Sequence, residues 1–161
     1  MRIIISVITL LICLPAIGQQ PQWASLTDTL ESAFDENNPE VSKQIYLYQR
    51  CSAQQLAMQW IMQEANEALA AIGEQNSMVL MQAAAITRMA LAFERTGQLP
   101  DAAEIGEITN TTIVSLFEQY QSWLNNNYLL NGSYFENDLD FQLEMQICGA
   151  ASQLASSLLE D

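Results

Sequence analysis

Cys51 is the first residue whose chemistry needs an explanation, because it directly follows Arg50 in the stretch IYLYQRCSAQQLAMQWIM (residues 45–62). A thiol beside a guanidinium can have a lowered pKa and act as a nucleophile or metal ligand. On a helix, however, neighbouring side chains point about 100° apart. Cys51 also shares helical spacing with Leu47 and Met58, which indicates an apolar face. We therefore expect Cys51 to point into a core, away from Arg50.

The first eighteen residues, MRIIISVITLLICLPAIG, have the features of an export signal. Arg2 gives a short positive start, residues 3–14 form an apolar stretch, and Ala-Ile-Gly ends it with the pattern that signal peptidase requires. The apolar stretch is too short to span a hydrocarbon core, which takes about 20 residues. We predict cleavage before Gln19, which leaves no membrane anchor. The mature chain, residues 19–161, is then a single domain that is periplasmic or secreted.

Cleavage would also remove Cys13 and leave a pair of cysteines, Cys51 and Cys148. An even number of cysteines in an exported protein favours a disulfide over free thiols. Both cysteines lie on apolar helical faces, so they can meet inside one bundle. Their bond would close a segment of about 100 residues and contribute up to about 4.7 kcal/mol in the chain-entropy model.

The chain contains no histidine. This removes the usual general base, the histidine-dependent nucleophile systems and most catalytic zinc sites. No glycine-rich phosphate loop is present either. An enzyme would have to use carboxylates, tyrosines or a thiol alone, and no motif of a carboxylate-only hydrolase is present. We therefore expect a non-catalytic protein without a cofactor.

Methionines give a different candidate chemistry. Met58 and Met62 are four residues apart, and Met78 and Met81 are three apart. Thioethers select copper(I), so these pairs raise the alternative of a copper(I)-handling protein. Methionine at helical spacing more commonly fills a core, and no histidine or free thiol accompanies these pairs.

Four carboxylates, Glu136, Asp138, Asp140 and Glu144, cluster at the predicted start of the last helix. They lack the glycine and the regular ladder of oxygens found in a calcium-binding EF-hand loop. Anionic side chains at a helix N-terminus interact favourably with its dipole and cap its open N–H groups. We expect this structural role for all four.

Two arginines, Arg88 and Arg95, are seven residues apart on an otherwise apolar stretch. They therefore share one helical face. The preceding segment carries Glu64, Glu67 and Glu74, which would lie opposite them in a bundle. The pattern favours ion pairs between these two helices over a substrate clamp.

Apolar residues recur with a period of 3.6 along the whole mature chain, which predicts an all-α protein. Glycine at 73 and 97 and proline at 39 and 100 suggest the ends of the helices. Gly106 costs its helix about 1 kcal/mol relative to alanine and would allow another helix to approach closely there. The fold predicted is a compact bundle of one short and four long helices with one interhelix disulfide. The expected helices run from about Ser25 to Phe34, Pro39 to Ile72, Ser77 to Thr96, Asp101 to Asn127 and Asp138 to Leu159.

The segment NNNYLLNGSYFEN reads as a loop that is unusually rich in apolar residues. Such side chains either cover the end of the bundle or contact a partner. As a partner-binding loop it would use Tyr128, Leu129, Leu130, Tyr134 and Phe135.

The net charge limits the class of partner. The chain has five basic and nineteen acidic residues, a formal charge of −14 at pH 7. Nucleic acid and anionic membranes should therefore be repelled. A cationic protein would be attracted, although a strongly acidic surface also serves solubility alone. We expect an exported binding protein, with a cationic protein as the partner, and with the copper(I) protein and the hydrolase as alternatives.

Overall fold

A computed structural model describes residues 23–160. The predicted export signal, residues 1–18, lies outside the described residues. The model confirms the all-α bundle of one short and four long helices. The helices are α1 (Leu26–Ala33), α2 (Val41–Met62), α3 (Glu67–Thr96), α4 (Ala102–Asn131) and α5 (Leu139–Glu160).

Helix α2 lies at the centre of the bundle and packs against each of the other four helices. Its most extensive contact is with α3, which follows it after a short turn. Helices α4 and α5 both pack against α2 and α3, and α1 packs against α2 and α5. Because α2 has neighbours on every side, polar residues within it are buried as well as apolar ones.

The predicted end of the second helix at Ile72 is wrong. Helix α2 ends at Met62, and the Asn66 side chain caps α3 by accepting a hydrogen bond from Leu69 N at 3.1 Å. The turn carries neither glycine nor proline, so the apolar period continues across it. Gly73 lies inside α3, at its close contact with α2, where an added Cβ would be 2.9 Å from a backbone oxygen.

The predicted start of α2 at Pro39 is also wrong. The Asp35 carboxylate accepts hydrogen bonds from the backbone N–H groups of Asn37 and Asn38, at 2.8 and 2.9 Å. This turn holds Asn38 outside the helix, and α2 begins at Val41.

Glycines end the two longest helices in left-handed conformations. Gly97 has φ 70° and ends α3 as predicted, and Gly132 has φ 72° and ends α4. Helix α4 is therefore one turn longer than expected, because the turn signal at Gly132, not the asparagines before it, ends the helix.

The core consists of two clusters. The first surrounds the Cys51–Cys148 disulfide, which joins α2 to α5 and confirms the predicted pairing. The second is aromatic and lies between α2, α4 and the start of α5; its buried members are Ala53, Ala57, Ile113, Leu116, Tyr120, Trp123, Leu124 and Phe141. Within residues 23–160, no helix is long and apolar enough to cross a membrane.

Candidate functional site

The proposed partner-binding loop is divided between a helix and a turn. Tyr128, Leu129 and Leu130 belong to the last turns of α4, whereas Tyr134 and Phe135 lie in the turn that follows it. The apolar residues before Gly132 are thus helical, whereas those after it are not.

Tyr134 and Phe135 cover the aromatic core. The Tyr134 ring lies 5.9 Å from the Trp60 ring, and the Phe135 ring lies 5.9 Å from that of Phe141. Both side chains are half-buried. These two residues therefore act as a lid over the bundle end.

In contrast to Tyr134 and Phe135, the apolar helical residues on either side of the turn are exposed to solvent. Leu129 is 81% exposed, Leu130 63% and Leu139 78%, and Tyr128 and Leu143 are about half exposed. We refer to these five residues as the α4–α5 tip. Large apolar side chains that are exposed on both sides of one turn make this end of the bundle a candidate interaction surface.

Hydrogen bonds connect the turn to both helices. Asn127 Nδ2 donates to Asp138 Oδ2 at 2.6 Å and to the Tyr134 carbonyl at 3.0 Å. The Tyr128 and Tyr134 rings stack with their centroids 4.7 Å apart. The Gln142 side chain donates to two further carbonyls of the turn, at 3.1 and 2.8 Å. The end of α4 is thereby fixed beside the start of α5.

Carboxylates accompany the tip. Asp138 Oδ1 accepts a hydrogen bond from Phe141 N at 3.0 Å, which is the helix-capping role expected from the sequence. Glu136 and Asp140 are exposed beside it. The tip is therefore an apolar surface with negative charge at its edge.

Glu144, the fourth carboxylate, has a different role from the other three. It is buried and forms an ion pair with Arg50 of α2. Its second oxygen accepts a hydrogen bond from the Tyr120 hydroxyl of α4 at 2.6 Å. Arg50 Nε donates to the same hydroxyl at 3.3 Å. One buried polar cluster thus joins α2, α4 and α5.

The N-terminal end of the described chain also binds this cluster. The Arg50 guanidinium donates to the Ala24 carbonyl, and its carbon lies 4.4 Å from the centre of a Trp23 ring. The Trp23 ring contacts that of Tyr120 edge-on at 4.5 Å, and its N–H donates to Gln119 Oε1 at 2.6 Å. The segment before α1 is therefore anchored by Arg50 of α2 and by Gln119 and Tyr120 of α4.

Burial decides the acid–base behaviour of the cluster. Loss of solvent raises the pKa of Glu144, although Arg50 and the Tyr120 hydroxyl stabilise its charged form. Burial raises the pKa of Tyr120 well above its usual value, and the Glu144 carboxylate adds to this effect. At neutral pH Tyr120 is accordingly a neutral hydrogen-bond donor.

A cavity of about 270 Å³ borders the cluster. Its wall includes Trp23, Arg50, Trp123, Asp140 and Glu144. Both Glu144 oxygens already accept hydrogen bonds from protein donors. The arrangement therefore resembles a structural polar core more than a carboxylate prepared for proton transfer.

The ion pairs predicted for Arg88 and Arg95 are wrong. Among residues 23–160, the single ion pair is Arg50–Glu144, and Arg88 Nε has no hydrogen-bond acceptor. Arg95 is exposed near the end of α3. The helix that was expected to carry Glu64, Glu67 and Glu74 opposite these arginines instead ends at Met62, and Glu67 and Glu74 belong to α3 itself.

The four methionines of the copper(I) alternative do not share one site. Met58 and Met62 line a cavity of about 190 Å³ together with Met145, which the sequence did not single out. Met78 is about half exposed, and Met81, which packs against the aromatic core as Met58 and Met145 do, does not line this cavity. In the part of the chain that the structure describes, no group of three or more acidic or cysteine side chains could hold a metal ion.

Comparisons with protein-family models, curated proteins and solved structures find no match for the chain.

Proposed function

We propose that the protein is an exported, non-catalytic binding protein that recognises a cationic protein through the α4–α5 tip. The observation that carries this proposal is the exposure of Leu129 and Leu130 at the end of α4 and of Leu139 at the start of α5. Hydrogen bonds connect the turn between them to both helices. A soluble bundle gains nothing from three such leucines at one end unless a partner covers them.

The proposed location rests on the N-terminal sequence and on the disulfide. Residues 1–18 have the pattern of a cleaved signal, and disulfides persist in oxidising compartments such as the periplasm or the extracellular space. The Cys51–Cys148 bond agrees with export. The mature protein from its native source should begin at Gln19, which mass spectrometry of the intact chain would test.

Charge and apolar area act at different stages of binding. With four basic residues against nineteen acidic ones, the mature chain attracts cationic proteins and speeds their approach. Burial of each exposed leucine would then contribute about 1.5–3 kcal/mol. The matching partner surface has an apolar pocket surrounded by lysine or arginine.

The proposal excludes catalysis because the chain offers no prepared proton-transfer group. Histidine is absent from the sequence, and the buried carboxyl of Glu144 already binds Arg50 and Tyr120. Nucleic acid is an unsuitable ligand for a chain with a formal charge of −14.

Affinity capture from the native envelope or extracellular fraction tests the proposal. Wild-type protein is compared with a Leu129→Ser, Leu139→Ser variant and with a Leu99→Ser control. Leu99 is 79% exposed and precedes α4, so it lies about 45 Å from the tip along a helix of 30 residues.

The proposal requires one basic protein that binds wild type and the Leu99→Ser control but not the double variant. Its affinity should fall as the salt concentration rises. Equal binding by all three proteins, or an affinity that salt leaves unchanged, would refute recognition by the tip.

A further inference from the structure

We propose that Met58, Met62 and Met145 form a binding site for copper(I). This inference is independent of partner binding at the α4–α5 tip. It rests on the cavity of about 190 Å³ that these three methionines line.

The helices bring the three side chains to one place. Met58 and Met62 are one turn apart on α2, where residues at i and i+4 have their Cβ atoms roughly 5–6 Å apart. Met145 reaches the same cavity from α5. All three residues are partly buried, so the site is shielded but remains accessible to an ion.

The donor set decides the class of ion. A thioether is a soft, neutral ligand that favours copper(I) over harder divalent ions. The rest of the cavity wall consists of Gln54, Gln55, Leu69, Ile72 and Gly73. Among residues 23–160 no carboxylate lines it, and the sequence has no histidine, so calcium, magnesium and zinc lack the ligands that they require there.

A buried amide with a missing partner belongs to the same wall. Gln54 is completely buried, and its Nε2 has no hydrogen-bond acceptor. Asn76 donates to Gln55 Oε1, and Gln55 donates to Gln54 Oε1. Each amide carries one donor and one acceptor end, so this chain of hydrogen bonds can also run in the reverse direction. The free end of Gln54 is then a carbonyl oxygen, whose dipole would stabilise a cation in the cavity.

The competing explanation is that these methionines only fill space. A filling role is insensitive to replacement by leucine, which has nearly the same volume. Metal binding depends on the sulfur atom itself. Methionine-to-leucine variants therefore separate the two explanations, and Met78 and Met81, which do not line the cavity, provide matched controls.

The test uses the disulfide-intact protein under anaerobic conditions, with copper(I) supplied as its complex with a chromogenic chelator. We expect the wild type to remove one copper(I) ion per chain from the chelator. Met58→Leu, Met62→Leu and Met145→Leu should each weaken binding at least about tenfold. Met78→Leu and Met81→Leu should bind as the wild type does.

A second measurement needs no variant. With methionine methyl groups labelled by ¹³C, one equivalent of silver(I), a soft ion of the same charge that does not undergo redox chemistry, should shift the signals of Met58, Met62 and Met145 only. X-ray absorption of the copper(I) form should show three sulfur neighbours, with the Gln54 oxygen as the only lighter atom near the metal. Failure to compete with the chelator, equal losses in the Met78→Leu variant, or a metal without sulfur neighbours would overturn the proposal.

Discussion

The ion pair between Arg50 and Glu144 lies directly beside the disulfide that joins the same two helices. Arg50 precedes Cys51 on α2, and Glu144 is one helical turn before Cys148 on α5. A covalent bond and a buried charge pair thus fix the same helix contact. The Arg50 side chain also reaches Ala24 and Tyr120, so the same cluster contacts α4 and the N-terminal segment.

Replacement of Arg50 by methionine should destabilise the fold by about 3–5 kcal/mol, because it leaves the Glu144 carboxyl buried without its counter-ion. Chemical denaturation measures this loss. The double variant Arg50→Met, Glu144→Leu should be less destabilised than the single variant, since no unpaired charge remains. Arg95→Met, at an exposed position, should change stability by no more than about 0.5 kcal/mol. If Arg50→Met behaves like Arg95→Met, the buried ion pair does not stabilise the contact.

The raised pKa of Glu144 predicts how the stability of the fold depends on pH. Burial raises its pKa in the folded state above the ordinary value of 4.5, so the folded protein holds this proton more tightly than the unfolded chain. The stability that Glu144 contributes is then fully present below pH 4.5 and falls as the pH rises through the raised pKa. The stability advantage of wild type over Glu144→Gln should therefore be greatest at acidic pH and shrink toward neutral pH.

Denaturation of both proteins at a series of pH values measures this difference. An advantage that grows as the pH rises would show that Arg50 and Tyr120 outweigh burial and lower the pKa of Glu144 instead.

The disulfide should carry a large share of the stability. Cys51 and Cys148 are separated by 97 residues, and loss of such a bond typically costs about 2–5 kcal/mol. The Cys51→Ala, Cys148→Ala variant should show this loss in denaturant. Intact mass before and after reduction and alkylation should reveal one bond and no free thiol in the oxidised protein. Alkylation of the unreduced native protein at either cysteine would contradict the pairing.

Much of the fold could be predicted from the sequence because it depends on local patterns. The period of 3.6 predicts the helices, and the glycine at 97 predicts the end of α3. The even number of cysteines in the mature chain predicts the disulfide. The turn between α2 and α3 could not be predicted, because residues 63–66 carry no glycine or proline and the apolar period continues through them.

The buried polar cluster has no local pattern in the sequence. Arg50 adjoins Cys51, and Glu144 lies near a helix start, but neither position alone indicates an ion pair. The predicted disulfide does indicate one: if Cys51 bonds to Cys148, residues within one turn of each cysteine on α2 and α5 must also be close. Arg50 and Glu144 have opposite charges at such positions. The sequence does not indicate that Met145 lines the same cavity as Met58 and Met62, because this depends on how α5 is rotated against α2.

Gly73 and Gly106, which both lie inside long helices, should respond to alanine in opposite ways. An added Cβ at Gly73 would lie 2.9 Å from Gln55 O and 3.2 Å from Gln59 N, both backbone atoms of α2. Gly73→Ala gains about 1 kcal/mol of helix propensity, but the crowding between α2 and α3 costs about 1–3 kcal/mol, so we expect a net loss.

At Gly106 no atom lies within 4 Å of the added Cβ, in contrast to the close helix contact that the sequence suggested there. Gly106→Ala should therefore raise the free energy of unfolding by up to about 1 kcal/mol. Thermal and denaturant unfolding of both variants tests the packing directly: stabilisation by Gly73→Ala would mean that α2 and α3 are not in contact at this glycine.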